Sequence, residues 1–347
     1  GGDLLPVSSR SRLCRQGCPD MKIVQVESAF TRKAFLRVPR LIYRDDPYWI
    51  SHIDQEIEAV FDPRKNRTFR NGEAIRWILM DDQGEPIGRV AAFVDWDQAH
   101  RFDQPTGGMG FFECIEDREA AFRLFDACRE WLEERGLEAM DGPINFGEND
   151  RYWGLITGNF SCSPYYRQNY NPEYYVGYFE EYGFRRYYEQ LIFRRVLSGS
   201  LSEKHLQQAE RFERDSDFQV RNFSKKRYRD HAEDFQEVYN RAWAGRDGLE
   251  FKELSRERAI DNVRSMLPVI DEDLIWYAYY RDRPVAFLVC LPEVNQIMRH
   301  VGGDLGVIGK LKFLWHRRRD PCTSAFGVAF GIDPDHQGQG LVGYLFK

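Results

Sequence analysis

The sequence predicts an α/β protein built from two tandem modules, each a mixed, mostly antiparallel twisted sheet flanked by helices. Two stretches carry this prediction, because each reads as an apolar strand, a polar turn and a second apolar strand: Ala74–Val94 and Leu274–Leu291. Pro86 and Pro284 fall near the start of the second strand in each, where a missing N–H is tolerated. A helix-rich stretch precedes both hairpins, and this repeated order indicates a duplication.

Length and composition limit the function classes. The chain has 347 residues, and domains of about 100–200 residues allow two of them. No apolar run is long enough to span a bilayer, and the net charge of -6 argues against a nucleic-acid partner. The odd number of cysteines, seven, favours a reducing cytoplasm. Cys14 and Cys18 have no second ligand pair nearby, so no metal site is expected.

The first module is expected to span residues 21–197. Residues 1–20 are interpreted as a non-native leader, because Met21 opens a strand-like run. Asp117 as N-cap and Gly136 as C-terminal stop bound a helix with one apolar stripe, which consists of Ala121, Leu124, Phe125, Cys128, Trp131 and Leu132. A second short helix is expected from Pro172 to Gly183, followed by a last strand.

Residues 198–217 are polar and are interpreted as a linker, and residues 218–347 form the second module. Its strand Ala325–Ile332 leads into "DPDHQGQGLVG", in which glycines allow positive φ angles. A turn of this kind before a helix presents unpaired N–H groups to an anion such as a diphosphate. Gly343 inside the presumed helix costs about 1 kcal/mol relative to Ala, which indicates that something packs tightly there.

The spacing from Ile332 through Gly340 to Val342 resembles the acetyl-CoA signature of the GNAT superfamily of N-acetyltransferases. The resemblance implies acetyl-CoA, or another acyl-CoA, as cofactor, with its diphosphate bound to main-chain amides of Gln337, Gly338, Gln339, Gly340, Leu341, Val342 and Gly343. It also implies that Phe330 and Ile332 offer main-chain groups to the pantetheine arm. Val342 departs from the family pattern, which has Gly or Ala at that position.

The order of predicted elements also resembles bacterial two-module GNAT-like proteins in which only the second module keeps the cofactor loop. At the equivalent junction, the first module has no glycine. Glu116, Asp117 and Glu119 stand where phosphates would lie. We therefore expect the first module to be a structural half or a substrate wall. By comparison with its length, the second module is expected to need roughly 40 further residues beyond Lys347 to be complete.

The resemblance implies attack by a small or peptidyl amine on an acyl thioester, with N-acetyl transfer as the expected case. Candidate bases are Glu293, Asp333 and His336, and candidate substrate contacts are Asn145 and Asn295. Phe179 occupies the position at which many relatives carry a tyrosine acid. The alternatives are a non-catalytic acyl-CoA-binding or scaffold protein, and a peptidoglycan-type aminoacyltransferase, which would need a tRNA-binding face.

The basic cluster Lys310–Arg319 interleaves cations with Leu311, Phe313, Leu314 and Trp315. The favoured interpretation is a solvated helix or loop with an apolar underside. One alternative is that its cations meet the CoA 3′-phosphate or an acidic substrate. The other is attachment to a membrane surface.

Overall fold

The computed structural model describes residues 21–101, 104–148, 151–197, 202–243 and 253–346. Contacts divide the chain into two compact units between Arg185 and Arg186. Each unit contains one sheet with helices beside it, which confirms the predicted α/β class. The interpreted leader, with Cys14 and Cys18, lies outside the described residues.

Unit 1 contains a five-stranded sheet with the strand order β1-β2-β3-β4-β5. Its strands are β1 (Lys22–Gln25), β2 (Gly72–Met80), β3 (Pro86–Asp95), β4 (Thr106–Cys114) and β5 (Ala139–Asp141). Its helices are α1 (Ala29–Ile42), α2 (Asp54–Val60), α3 (Trp96–Ala99), α4 (Arg118–Glu133) and α5 (Tyr174–Tyr182), with a 3-10 turn at Arg67–Arg70. The first four strands pair antiparallel, and β4 and β5 pair in parallel.

Helix α4 forms where the apolar stripe predicts it. The Asp117 side chain accepts a hydrogen bond from the Ala120 amide, and Gly136 closes the helix end with a φ of +75°. All six residues of the predicted stripe are buried on β3, β4 and α5. The opposite face of the sheet carries a second apolar cluster with α1 and α2. The sheet is therefore covered on both faces.

Helix α5 ends at Gly183, which has the left-handed φ of +117° expected of a C-terminal stop. The prediction of a strand after α5 is wrong, because residues 184–197 form no strand. Their large side chains, from Tyr187 to Leu197, are exposed. A strand needs a neighbour to pair its main-chain groups, and no described segment pairs with this one.

Unit 2 contains an antiparallel four-stranded sheet with the order β6-β7-β8-β9. Its strands are β6 (Phe218–Asn222), β7 (Ile275–Tyr280), β8 (Arg283–Pro292) and β9 (Ala325–Ile332). Its helices are α6 (Glu203–Glu213), α7 (Tyr228–Trp243), α8 (Arg256–Met266), α9 (Asn295–Met298), α10 (Val307–Arg319) and α11 (Leu341–Phe346), with 3-10 turns at Lys225–Arg227, Glu272–Leu274 and Pro334–His336.

Both predicted hairpins form, as β2–β3 and β7–β8. Arg281 and Asp282 both have positive φ angles, which is typical of the two-residue turn that suits the twist of paired strands. Pro86 and Pro284 lie at corresponding places, each beside an irregularity in the strand pairing. The repeat read from the sequence therefore extends to the register of the strands.

The polar stretch interpreted as a linker contributes a packed helix to unit 2. Ala209 and Phe212 of α6 are buried, and α6 packs on α11. The stretch reads as polar because α6 buries only this narrow apolar stripe and leaves its remaining surface charged.

Candidate functional site

The predicted glycine turn joins β9 to α11 in unit 2. Gly338 and Gly340 have φ angles of +74° and +90°, in the left-handed region that L side chains rarely adopt. The backbone therefore takes the conformation for which the sequence predicted glycines. This turn, residues 337–340, is called the glycine turn below.

The main-chain amides from Gly338 to Val342 find no acceptor among the described residues. The amides on either side are used, since the Gln337 amide donates to the Pro334 carbonyl and the Gly343 amide donates to the Gly340 carbonyl. A run of unpaired N–H groups carries partial positive charge and suits an anionic ligand. The glycine turn thus has the donor set that the resemblance implies.

Four of these five residues, Gly338, Gly340, Leu341 and Val342, line a cavity of about 290 Å³. Its wall on the α6 side carries a cation, Lys204, beside His205 and Gln208. The other lining residues are Ile332, Gly338, Gly340, Leu341 and Val342. Unpaired amides and a lysine thus border the same cavity, so the residues present fit a phosphate-bearing cofactor.

Two of the glycines also have a packing role. A Cβ atom on Gly343 would lie 2.7 Å from the His205 carbonyl oxygen, and one on Gly340 would lie 2.7 Å from Cδ of Gln208. Helix α6 is thus the tightly packed neighbour that Gly343 indicated in the sequence. Gly338 differs, because a Cβ atom there would meet nothing within 4 Å. Gly338 is therefore the position at which a side chain would enter open space.

Among the described strands β9 pairs only with β8, and its other edge presents main-chain groups of Phe330 and Ile332. The Asp333 amide donates to the Val285 carbonyl at 2.8 Å, which makes these two residues a hydrogen-bonded pair. In an antiparallel strand, the N–H and C=O groups of successive residues point alternately toward and away from the neighbouring strand. The main-chain groups of Ile332 and Phe330 therefore point away from β8. The Ile332 carbonyl accepts from Nε2 of Gln337 at 3.1 Å. This arrangement is compatible with the predicted contacts to a pantetheine arm.

A buried ion pair fixes the start of the turn. Asp333 is 1% exposed, and its Oδ2 lies 2.7 Å from Nε of Arg241 on α7. Oδ1 of Asp333 accepts from Nη2 of Arg241 and from the Asp335 amide. With both oxygens committed, Asp333 acts as an anchor for the turn and is not placed as a base.

Neither of the other candidate bases lines this cavity. Oε1 of Glu293 accepts from the Asn295 amide at 2.9 Å, which holds the start of α9. The ring of His336 packs against Phe218 and Tyr280, and its Nδ1 is buried without a hydrogen-bond partner. The roles proposed for Glu293 and His336 therefore remain predictions that the geometry of the cavity does not favour.

The two candidate substrate contacts lie in different units and are both buried. In unit 1, Nδ2 of Asn145 donates to the Glu148 carbonyl at 2.9 Å, while its Oδ1 has no partner. Asn295 begins α9 at the end of β8. The adjoining Asn149 and Asp150 lie outside the described residues.

Unit 1 holds a buried polar cluster that sequence reasoning missed. Oε2 of Glu113 accepts from the Tyr43 hydroxyl at 2.6 Å and from the Tyr175 hydroxyl at 3.0 Å. Oε1 of Glu113 lies 3.6 Å from Nη2 of Arg89, which also donates to the Phe35 carbonyl through Nη1. The sequence signal that could have revealed this cluster is a charged residue inside each of two apolar strand runs, Arg89 in "IGRVAAFV" and Glu113 in "MGFFEC".

Burial governs the protonation of this cluster. It raises the pKa of Glu113 to about 7, against the opposing effect of the Arg89 charge and the tyrosine hydroxyls. Burial, with the charge of Arg89, lowers the pKa of His52 to about 4. Both residues line a cavity of about 30 Å³, which has room for roughly one water molecule. This space is too small for a substrate, and we interpret the cluster as a structural element of unit 1.

No metal centre accompanies either site within the described ranges, where no group of three or more His, Cys, Asp and Glu side chains is arranged to hold an ion. Over the same part of the chain, no helix has both the length and the apolar character needed to cross a bilayer.

Comparison with known proteins gives two relatives along most of the chain. No protein-family model matches. A bacterial ceramide synthase from Caulobacter vibrioides is 26% identical over 337 residues, covering 94% of this chain and 85% of that protein. Protein YghO from Escherichia coli is 25% identical over 311 residues, covering 88% of this chain and 77% of that protein.

Among solved structures, a GCN5-related glucosamine N-acetyltransferase region of a fungal multi-domain β-N-acetylglucosaminidase matches with a TM-score of 0.49 and 12% identity, over 95% of this chain and 33% of that one. A GCN5-related N-acetyltransferase from Sphaerobacter thermophilus matches with a TM-score of 0.40 and 11% identity, over 93% of this chain and 79% of that one. The aminoglycoside N-acetyltransferase AAC(6')-Iy in complex with CoA matches with a TM-score of 0.32 and 18% identity, over 53% of this chain and 99% of that one.

The order of elements agrees with what the resemblance implied. Apart from α3 in unit 1 and α6, α9 and α10 in unit 2, both units run strand, helices, hairpin, strand and helix, and unit 1 continues with β5 and α5. The chain is therefore an α/β protein in which each of the two units has one sheet flanked by helices.

Proposed function

We propose that this chain transfers an acyl group from acyl-CoA to an amine, with N-acetyl transfer from acetyl-CoA as the expected case. The observation that carries the proposal is the glycine turn, whose amides are unpaired and which borders a cavity that Lys204 also lines. Acyl transfer in general is also the reaction class that the GNAT-like fold supports. A thioester-activated acyl group is the chemistry that the cofactor supplies when it is bound.

The residues of this chain would hold and orient the cofactor. Main-chain amides from Gly338 to Val342 would donate to its diphosphate, and Lys204 would balance the phosphate charge. Outward main-chain groups of Phe330 would extend the contact along β9. Because neither Glu293 nor His336 lines the cavity, this account rests on binding and orientation of the two reactants.

The acceptor is proposed to be a small or peptidyl amine, as the resemblance implies. The name of the Caulobacter relative adds a further acceptor class, because a ceramide is an amide of a long-chain amine. A non-catalytic acyl-CoA-binding or scaffold protein is the second candidate. Val342 at the position of a small residue, together with the absence of Glu293 and His336 from the cavity wall, favours it.

A two-step experiment separates these candidates. Thermal unfolding is measured with and without acetyl-CoA, since a ligand at about 100 times its Kd stabilises the folded state by roughly 2.7 kcal/mol. Turnover is then assayed on a panel that contains a small amine, a peptide N-terminus and a long-chain amine. Stabilisation with turnover supports the acyltransferase. Stabilisation without turnover on any amine supports the binding protein, and no stabilisation by acetyl-CoA or a longer acyl-CoA contradicts both.

A further inference from the structure

Helix α10 presents its apolar side chains to solvent. The basic cluster was expected to have an apolar underside. Five of the apolar side chains of α10 are instead exposed: Val307 (79%), Ile308 (72%), Leu311 (62%), Leu314 (58%) and Trp315 (53%). Their spacing of i, i+1, i+4, i+7 and i+8 places them on one face of the helix. Isolated exposed apolar residues are ordinary, but a contiguous stripe of five marks an interaction surface.

The opposite face of α10 fixes this orientation. Gly309 is buried, and a Cβ atom there would lie 1.8 Å from the Asp304 carbonyl oxygen. The ring of His316 stacks on the ring of His300 with a centroid distance of 4.2 Å. Arg317 donates to the Pro268 carbonyl. The helix therefore lies against the protein by its Gly309 and His316 side, and the apolar stripe faces outward.

Cations border the stripe on both sides. Counting 100° per residue around the helix, Lys310 and Arg317 lie on one flank and Lys312 and Arg319 on the other, with Arg318 at its C-terminal end. All five are exposed, and α10 contains no acidic residue. The net charge of the chain is -6, so this concentration of positive charge is local to the helix.

We propose that α10 docks this protein on an anionic membrane surface, with the stripe in the headgroup region and Lys310, Lys312 and Arg318 on lipid phosphates. An apolar face bordered by Lys and Arg is the pattern of a helix that lies in the plane of a membrane interface. Long basic side chains reach the headgroups while their stems remain on apolar surroundings. Trp315 lies at the edge of the stripe, with the Arg319 guanidinium 5.0 Å from its ring centroid. Charge complementarity selects lipid over a neutral apolar protein groove. The proposal stands independently of acyl transfer.

The test is vesicle co-sedimentation of the full chain. Vesicles of phosphatidylcholine alone are compared with vesicles in which a third of the lipid is phosphatidylglycerol. The protein is expected to pellet with the anionic vesicles, and added salt is expected to weaken binding, since it screens the cations. Leu311→Glu should lower the partition coefficient by about tenfold, because one leucine side chain is lost from the apolar environment. Lys312→Gln should weaken binding several-fold to anionic vesicles only.

The matched control is Phe30→Glu, which makes a similar change at a 72% exposed apolar residue of unit 1. Its partition coefficient should equal that of the unmodified chain. Equal far-ultraviolet circular dichroism and equal thermal unfolding midpoints in all variants would show that the fold is unaffected. The proposal would be overturned if the unmodified chain did not pellet with anionic vesicles, or if Leu311→Glu pelleted as well as the unmodified chain. It would also be overturned if the chain bound no vesicles and formed a dimer that Leu311→Glu disrupts.

Discussion

The two units treat the same structural junction in different ways. In unit 1, β4 leads into α4, and in unit 2, β9 leads into α11. Each strand ends near a buried carboxylate that pairs with an arginine, Glu113 with Arg89 and Asp333 with Arg241. Beyond that point they diverge, since the Asp117 carboxylate accepts from an α4 amide and the glycine turn leaves its amides unpaired.

This difference shows how one fold can either close or open an anion site. A carboxylate at a helix start satisfies the donors within the chain and places negative charge where a phosphate would lie. Glycines at the same junction bring no side chain, so the amides remain available to a ligand. We therefore propose that unit 1 is a structural half and unit 2 a binding half.

The largest effect is expected from removing the Glu113 carboxylate in unit 1. Glu113→Leu leaves Arg89 buried without its partner, and the loss of one member of a buried ion pair costs about 3–5 kcal/mol of unfolding free energy. Denaturant titration measures this loss. The control Glu181→Leu removes an exposed pair with Arg118, which contributes about 1 kcal/mol or less. Equal stability of the two variants would show that the Glu113 cluster does not hold unit 1.

The next prediction concerns the pH dependence of the unfolding free energy, tested with Glu113→Gln. The effect should be smaller than that of Glu113→Leu, because glutamine keeps an acceptor for the tyrosine hydroxyls. The raised pKa of Glu113, about 7, means that its contribution to stability falls as pH rises from about 4.5 to 7. The lowered pKa of His52, about 4, acts in the opposite sense, and its contribution rises as pH rises from about 4 to 6.5.

Between pH 5 and 6.5 the two contributions oppose each other in the unmodified chain. Glu113→Gln should make the slope of unfolding free energy against pH more positive, and His52→Asn should make it more negative. Denaturant titrations across this pH range supply the slopes. Unchanged slopes in both variants would mean that neither group has a shifted pKa.

A smaller effect is expected at the start of α4. Asp117→Ala removes the side chain that accepts from the Ala120 amide, and such changes cost about 1 kcal/mol. Asp117→Asn is the control, since it retains an acceptor oxygen and should be close to the unmodified chain in thermal stability. A loss of equal size in both variants would assign the effect to charge and not to capping.

The smallest effect is expected from Lys204→Ala, which removes the exposed cation on the cavity wall. Acetyl-CoA affinity should fall about two- to fivefold, with a smaller change at high salt, because an exposed ion pair contributes up to about 1 kcal/mol. Lys226→Ala, an exposed lysine change elsewhere in unit 2, is the control for isothermal titration. Equal affinities in both variants would place the phosphates away from α6.

The sequence was sufficient for the hairpins, for α4 and for the positive φ angles of the glycine turn, because these depend on local patterns such as alternation, the stripe from Ala121 to Leu132 and glycine spacing. It was insufficient where a residue's partner is distant along the chain. Gly343 packs against α6, and Glu113 meets Tyr43 from a separate element. The predicted strand after Gly183 failed for the same reason, since pairing depends on a neighbour.

The orientation of α10 was also outside what sequence patterns specify. Periodicity identifies an apolar stripe, but it does not say whether that stripe faces a core or the solvent. Gly309 carried the missing information, because it marks the side on which the helix approaches the Asp304 backbone.

The central claim is that the amides of the glycine turn bind the cofactor's phosphates, and Gly338 allows the most direct test. Gly338→Asp and Gly338→Asn place side chains of equal size in open space at the same positive φ, which both residues tolerate comparatively well. Isothermal titration with acetyl-CoA measures both affinities. We predict that the Asn variant binds and that the Asp variant binds at least about tenfold more weakly, because its charge repels phosphate. Equal affinities in the two variants would contradict the claim.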